Sequence, residues 1–296
     1  MRFLWLIGLL LSDVVFSQSI TIDLVPSGKS NHIDSVWVRN YDTKTDVILR
    51  NTRKIVLASS EKKKKRSYKN GGEKMAIAAG DTLRYEKGQL LFIEAFASNM
   101  KTVVPLVPEQ DTVVEFYFDE CVDADGNSYA IMKVCNMLWM VDNLRVTKTR
   151  SGVPLHYGKE RWDADTVAYR KVYDADKYIA SYGLLYNWYA ATSGILPQGW
   201  QLPSVEDWNR FEKCTEFGKN AVGNRLKELR LIPAGYCDVS GEFSAVGEEG
   251  YWWLSDELSQ KKAWYFLLNA NNASVGLNVC DKHHGFSVRG VKYLNR

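Results

Sequence analysis

Apolar residues recur at every second position through much of this chain. Ile20, Ile22 and Leu24 alternate with Thr21 and Asp23, and Val36 and Val38 continue the period within residues 34–40. Further β-favouring runs at 46–49, 54–57, 82–85, 90–97 and 112–118 are separated by Gly, Asn, Asp and Pro. About seven short strands and no helix over the first hundred or so residues predict an immunoglobulin-like β-sandwich. Pro105 and Pro108 precede the last of these strands and argue against a central sheet position there before Thr112. Near the other end, 251–254, 263–268, 274–279 and 286–291 are short aromatic runs broken by polar turns, which predicts a small antiparallel sheet.

Two stretches change period. Tyr182, Leu185, Tyr186 and Tyr189 fall at helical spacing, so residues 182–191 are predicted to form a helix with an aromatic face. In residues 203–208, Ser204 is a natural N-cap and Asp207, three residues on, its reciprocal partner, while Glu206 and Asp207 suit the positive helix start. Trp208, Phe211 and Thr215 then point one way, and Gly218 ends the helix.

The chain has 296 residues, 46% hydrophobic and 25% charged, which fits about two globular domains. Net charge is +3, with the basic residues gathered in residues 61–74. Asn70, Gly71 and Gly72 make that run a solvated, mobile hairpin loop, and no aromatic platform interrupts it, so no nucleic-acid partner is expected. Arg2, an apolar stretch from Phe3 to Leu11 and small-residue spacing to Ser17 make a secretory leader, cleaved after Ser17. No later segment is long and apolar enough to span a membrane. No cysteine follows the cleavage point closely enough for lipid attachment, so the expected location is secreted, cell-surface or periplasmic. The five cysteines (Cys121, Cys135, Cys214, Cys237, Cys280) leave at least one thiol free, contain no C-x-x-C pair, and do not reveal their pairing.

Composition shifts at residues 120–127, placing a boundary between a unit at 18–119 and one at 120–296. Asp123, Asp125 and Asn127 around Gly126 read as a hairpin turn. The alternative, a calcium loop, has Val134 where the bidentate Glu belongs. From here the motifs resemble the Fibrobacter succinogenes major paralogous domain of exported bacterial proteins. They are Asp123-x-Asp125-Gly126-Asn127-x-Tyr129, Lys133-Val134, Trp139-Met140, Asn143-Leu144, then 182–191, 196–208, 224–229, 250–256 and 285–292. Two departures stand out, because Leu196 and Gly290 occupy positions where members commonly carry cysteines that could form one bridge. The same order of motifs resembles the formylglycine-generating enzyme and C-type lectin superfamily. That likeness implies a C-type-lectin-like domain of two or three helices around a small irregular antiparallel sheet, and so an α+β chain overall.

For function, the resemblance implies an exported, non-catalytic module that recognises an extracellular glycan or a surface protein. The aromatic content, with 10 Trp, 16 Tyr and 11 Phe, permits that, and Trp252, Trp253, Trp264 and Asp256 are the expected ligand contacts. The alternatives are a structural component of an exported assembly and an enzyme of the formylglycine-generating superfamily. Enzyme chemistry is not expected. No G-x-S-x-G or H-E-x-x-H occurs, and Glu206, Asp207, Glu248, Glu249 and Asp256 define no acid/base pair by spacing. The oxidase members use two cysteines near the C-terminal Gly-Phe, where this chain has only Cys280, beside His283 and His284. No metal or other cofactor is therefore expected.

Overall fold

The computed structural model describes residues 19–59, 75–76, 82–158, 168–215, 230–272 and 274–294. The leader, the basic run at 61–74, Gly218 and the 224–229 motif lie outside the described residues. Two facing sheets enclose the first core. One contains β1 (Ser19–Gly28), β4 (Lys54–Ser59), β6 (Thr82–Tyr85) and β9 (Thr112–Phe118), in the order β6-β4-β1-β9. The alternation seen in the sequence turns Ile20, Ile22 and Leu24 of β1 inward with Ile55, Leu57 and Phe116. They meet Val36 and Val38 of β2 (Ser35–Asn40) and Ile93 and Ala95 of β7 (Leu91–Ala97) from the second sheet.

That second sheet does not stop at residue 120. It runs β20-β11-β10-β8-β7-β2-β3-β5, with β3 (Thr45–Arg50), β5 (Met75–Ala76), β8 (Met100–Leu106), β10 (Ala130–Val134), β11 (Met137–Met140) and β20 (Val291–Tyr293). Strands β8 and β10 pair in parallel through Ala130↔Lys101 and Ile131↔Thr102. The ladder thus crosses from residues before 120 to residues after it. The reverse face of this sheet, with Phe92, Val103, Met132 and Trp139, packs against α3 (Val205–Thr215) and against β17 (Glu249–Glu257) and β18 (Lys262–Asn269). Strands β17, β18 and β19 (Ser274–Asp281) form a separate antiparallel sheet, and two smaller sheets link the parts. These are β12 (His156–Tyr157), β13 (Ala168–Lys171) and β14 (Leu184–Tyr186), and then β15 (Tyr236–Cys237) and β16 (Phe243–Ser244).

The expected α+β architecture, an immunoglobulin-like sandwich followed by helices wrapped around a lectin-like sheet, is not what forms. The described chain is mostly β, with α1 (Ile179–Tyr182) and α2 (Trp188–Ala191) of four residues each and only α3 reaching eleven. Residues 182–191 explain much of the difference. Gly183 adopts φ 76° where a Cβ would lie 2.7 Å from the Leu144 carbonyl oxygen, so the helix cannot continue through it. Leu184–Tyr186 then pairs with β13, and Asn187 starts α2 anew by accepting from the Ala190 N–H through Oδ1 at 2.9 Å. Helical spacing of Tyr182, Leu185, Tyr186 and Tyr189 arises here from a strand between two single turns.

Strand β8 is masked in the sequence by Pro105, which sits within it opposite Phe92. Because β10 pairs only with Lys101 and Thr102, the Pro105 segment has a partner on one side alone, and a missing N–H is tolerated there. The fourth aromatic run also divides. Phe286 and Ser287 bridge to Tyr186 and Trp252, whereas Val291–Tyr293 joins β11. The α3 capping box does form, with Ser204 Oγ accepting from Asp207 N–H at 3.0 Å and Asp207 Oδ2 accepting from Ser204 N–H at 2.9 Å. A disulfide joins Cys135, in the β10–β11 turn, to Cys214 of α3, and leaves Cys121, Cys237 and Cys280 as thiols. Leu196 Cδ2 lies 3.0 Å from where a Cβ on Gly290 would be, so the leucine fills the gap between two positions where cysteines were expected.

Asp119 ties the two ends of the chain together. It is 5% exposed, and its carboxylate takes Lys292 Nζ at 2.5 Å and Lys29 Nζ at 3.0 Å. Burial opposes ionisation, but Lys292, Lys29 and the Glu120 N–H together hold the carboxyl below the ordinary aspartate value. A depressed folded pKa stabilises above the unfolded value, near pH 3.9, and that contribution is lost as pH falls through the folded value. Denaturant midpoints should therefore be flat from about pH 7 to 5 and fall below about pH 4. Asp119→Asn should shallow that acid limb, and an unaltered limb would count against this role.

Candidate functional site

The two adjacent tryptophans of β17 face opposite ways, as neighbours on a strand must. Trp252 is 4% exposed among the α3 aromatics and donates from Nε1 to Asn143 Oδ1 at 2.9 Å. Trp253 is 0% exposed and donates from Nε1 to the Tyr186 carbonyl at 2.8 Å. Trp264 is half-buried on the Trp252 side of the sheet. Asp256 accepts from the Val205 N–H at 2.7 Å, where it serves the start of α3. The four residues expected to contact ligand are thus not gathered on one surface.

Most of the motif residues build the interior. Asn143 Oδ1 accepts from Trp252 Nε1 and from Arg289 Nε, while its Nδ2 donates to the Tyr182 carbonyl at 2.9 Å and to Ser287 Oγ at 3.3 Å. One amide thereby joins the Asn-Leu, Tyr-Trp-Trp and Gly-Phe-Ser-Val-Arg motifs. Burial pushes the Arg289 guanidinium down to about 9, with Asp142 opposing that shift and Arg230 adding to it, so it is still charged at neutral pH. Asp123 likewise organises the expected hairpin turn. Its Oδ1 accepts from the Asp125 and Asn127 N–H groups, both at 2.9 Å, and its Oδ2 accepts from Asn127 Nδ2 and Tyr129 Oη. No group of three or more His, Cys, Asp or Glu among the described residues is placed to hold a metal ion.

A different surface combines aromatic rings with unspent polar atoms. Tyr251 of β17 and Tyr265 of β18 share the face opposite Trp252, and Phe286 lies beneath both at ring distances of 5.0 and 4.9 Å. Tyr236 comes from β15, carried there by the bridges Gly235↔Gly250 and Cys237↔Gly285, and sets its ring edgewise to Tyr251 at 4.9 Å. Gly235 is required for that approach, because a Cβ at its φ of 65° would meet the Ser244 carbonyl oxygen at 2.2 Å. His284 completes the cluster 6.2 Å from Tyr236 and donates from Nδ1 to the Asp281 carbonyl at 3.1 Å. In the neutral ring that bond places the proton on Nδ1 and leaves Nε2 as an acceptor. Phe286, 2% exposed, forms the floor and Tyr265, 9% exposed, is buried beside it, whereas Tyr236, Tyr251 and His284 are half-buried.

Burial keeps three of the cluster's acidic protons in place. Burial and the hydrogen bond to Glu249 push the Tyr251 hydroxyl well up, and burial with Cys280 beside it raises Tyr265. Burial, then Asp281, pushes the Cys280 thiol well up, so it stays protonated and is no nucleophile at neutral pH. Glu249 spends one oxygen on Tyr251 Oη and the other on Asn269 Nδ2. Tyr236 Oη, Tyr265 Oη and His284 Nε2 make no hydrogen bond to the described residues.

Sequence reasoning weights tryptophans and so passes over these residues. Tyr251 reads there only as apolar area, Tyr265 as one residue of a strand, and Tyr236 lies fifteen residues from Tyr251 with nothing to link them. The available signal was residue type, since tyrosine on a half-buried strand keeps its ring inside and its hydroxyl wet.

The model of a family described as the Fibrobacter succinogenes major domain matches residues 132–292, more than half of the chain. No curated protein and no solved structure matches it.

Proposed function

Given that the chain belongs to the Fibrobacter succinogenes major domain family, we propose that it is an exported, non-catalytic binding module that takes a glycan or protein ligand on the face formed by Tyr236, Tyr251, Tyr265 and His284. The observation that carries this reading is the pair of tyrosine hydroxyls and the imidazole nitrogen left unbonded around an aromatic floor. Exposed aromatic area with a few polar groups is how binding surfaces gain both affinity and orientation.

Three features support the rest. The secretory leader read from residues 1–17 and the Cys135–Cys214 disulfide fit an oxidising compartment outside the cytosol. No helix of the described residues is long and apolar enough to cross a membrane. The acids that could have formed a catalytic pair are engaged elsewhere: Asp207 in the capping box, Asp256 on Val205 and Glu249 on Tyr251. Glu206 is paired with Arg210 at 2.9 Å on the exposed side of α3.

The test is direct binding. Mature chain should bind at least one component of a glycan and surface-protein array, and Tyr236→Ala should weaken that binding by about 2 kcal/mol, roughly thirtyfold, while leaving the melting curve near that of the parent. Binding indifferent to Tyr236 would move the site elsewhere. Amino-terminal sequencing of protein recovered outside the cytosol should begin at Gln18, and full-length protein retained inside would remove the export claim.

A further inference from the structure

The chemistry of the tyrosine face selects among ligand classes, a selection that rests on the proposal that this face is a binding site. Its flat element is the Tyr251 ring, which lies on Phe286 at an interplanar angle of 26° and so has its other side turned away from the floor. Tyr236 stands edgewise beside it as a wall. Its polar elements are neutral and of both kinds: two phenol groups that donate or accept, and one imidazole nitrogen that accepts. A ligand that matches needs an apolar flat side and hydroxyl groups projecting around its rim. A pyranose ring has that form.

Charge narrows the choice. Glu249 lies within the cluster and Glu248 is exposed next to it, whereas no lysine or arginine hydrogen-bonds to any of the four residues among those described. A uronate, sulfate or phosphate brought to this face would meet the Glu249 carboxylate at short range, and like charges in a partly desolvated site repel strongly.

The edge strand argues against the main competitor, an extended peptide. Strand β19 is one outer strand of its sheet, and the other, β17, already carries bridges from Gly235 and Ser287, so a peptide would have to add along β19. On that strand the Val279 N–H is already taken by Asn278 Oδ1 at 2.8 Å. A self-capped donor blunts an edge. Gly276, by contrast, has no heavy atom within 4 Å of where its Cβ would be, so the sheet surface beside Leu267 is open to approach from above.

We propose that the Tyr236, Tyr251, Tyr265 and His284 face binds a neutral saccharide. One pyranose ring stacks on Tyr251, and its hydroxyls meet Tyr236 Oη, Tyr265 Oη and His284 Nε2. The test is calorimetric titration of the full mature chain with hexaoses of glucose, xylose and mannose, with hexagalacturonate as the anionic control and a pool of extended peptides as the competitor. The double variant Tyr236→Phe/Tyr265→Phe keeps both rings and removes only the hydroxyls, so folding is preserved while two hydrogen bonds are lost. At least one neutral hexaose should bind saturably, bind at least tenfold tighter than hexagalacturonate, and lose about tenfold in the double variant. Preference for the galacturonate, or neutral binding that the double variant does not change, would overturn the proposal. Peptide binding that Tyr236→Ala abolishes, without saccharide binding, would overturn the saccharide class and leave the face as a binding site. No binding of either class would remove both.

Discussion

Replacing Asn143 by leucine should destabilise the protein by about 3–5 kcal/mol, although the two side chains have the same number of heavy atoms and the same branching. The amide oxygen is the acceptor for Arg289 Nε at 2.8 Å and for Trp252 Nε1 at 2.9 Å, and both donors are buried. Leucine would leave a guanidinium nitrogen and an indole N–H without that acceptor in the interior, and would strand the Tyr182 carbonyl and Ser287 hydroxyl on its other side. An unsatisfied neutral donor costs about 1–3 kcal/mol and a buried cation that loses a partner costs more, so the sum is dominated by Arg289. Asn143→Asp should be milder, because a carboxylate still accepts from both donors. Urea denaturation followed by tryptophan fluorescence measures the difference. A loss under about 1 kcal/mol for the leucine variant would show that Arg289 and Trp252 find other partners readily.

Trp208→Ala should cost a similar amount, about 3–5 kcal/mol, through lost packing. Trp208 is 5% exposed on α3, with ring contacts to Phe266, Phe211 and Trp139 at 3.6, 5.4 and 5.8 Å. A small apolar void already exists among Trp139, Trp208, Trp252 and Phe266. Alanine would enlarge that void by most of an indole ring. The variant should therefore melt well below the parent yet keep its affinity for whatever binds the tyrosine face, since Trp208 lies on the opposite side of the last sheet. A variant that melts like the parent and loses binding would reverse the assignment.

Local chemistry was legible in the sequence and spatial assembly was not. Ser204 and Asp207 gave away the start of α3 because a capping box acts over three residues. Ile20, Ile22 and Leu24 gave away β1 because one face of a strand must be apolar when it covers a core. In residues 182–191, helical spacing misled, since the backbone there is decided by the contact of Gly183 with Asn143 and Leu144, some forty residues earlier. The family motifs were legible as text but not as roles. Asn143, Trp252 and Arg289 belong together because one buried amide needs all of them, a relation visible only once β11, β17 and the C-terminal segment are brought together. The tyrosine face was illegible for the same reason, as β15, β17, β18 and the 281–285 loop each contribute a single ring or nitrogen.

The place of β20 in the eight-stranded sheet has a consequence for the order of folding. Val291–Tyr293 pairs with β11 through Met137↔Tyr293, Leu138↔Lys292 and Trp139↔Val291, joining the end of the described chain to its middle. Pairings of such long sequence separation cost loop entropy before they return any contact energy, and they slow folding to the millisecond-to-second range, about the slow end for single domains. A chain synthesised amino end first can close β1, β4, β6 and β9 and hydrogen-bond β2, β3, β7 and β8. It must then wait, with the edge of β11 bare and Trp139 partly uncovered, until the last strand arrives. The interval in which this protein can mispair with its neighbours is thus set by the arrival of β20, and changes to Val291 or Lys292 should register as aggregation during refolding as well as in the equilibrium stability that the buried valine and the Lys292–Asp119 pair contribute.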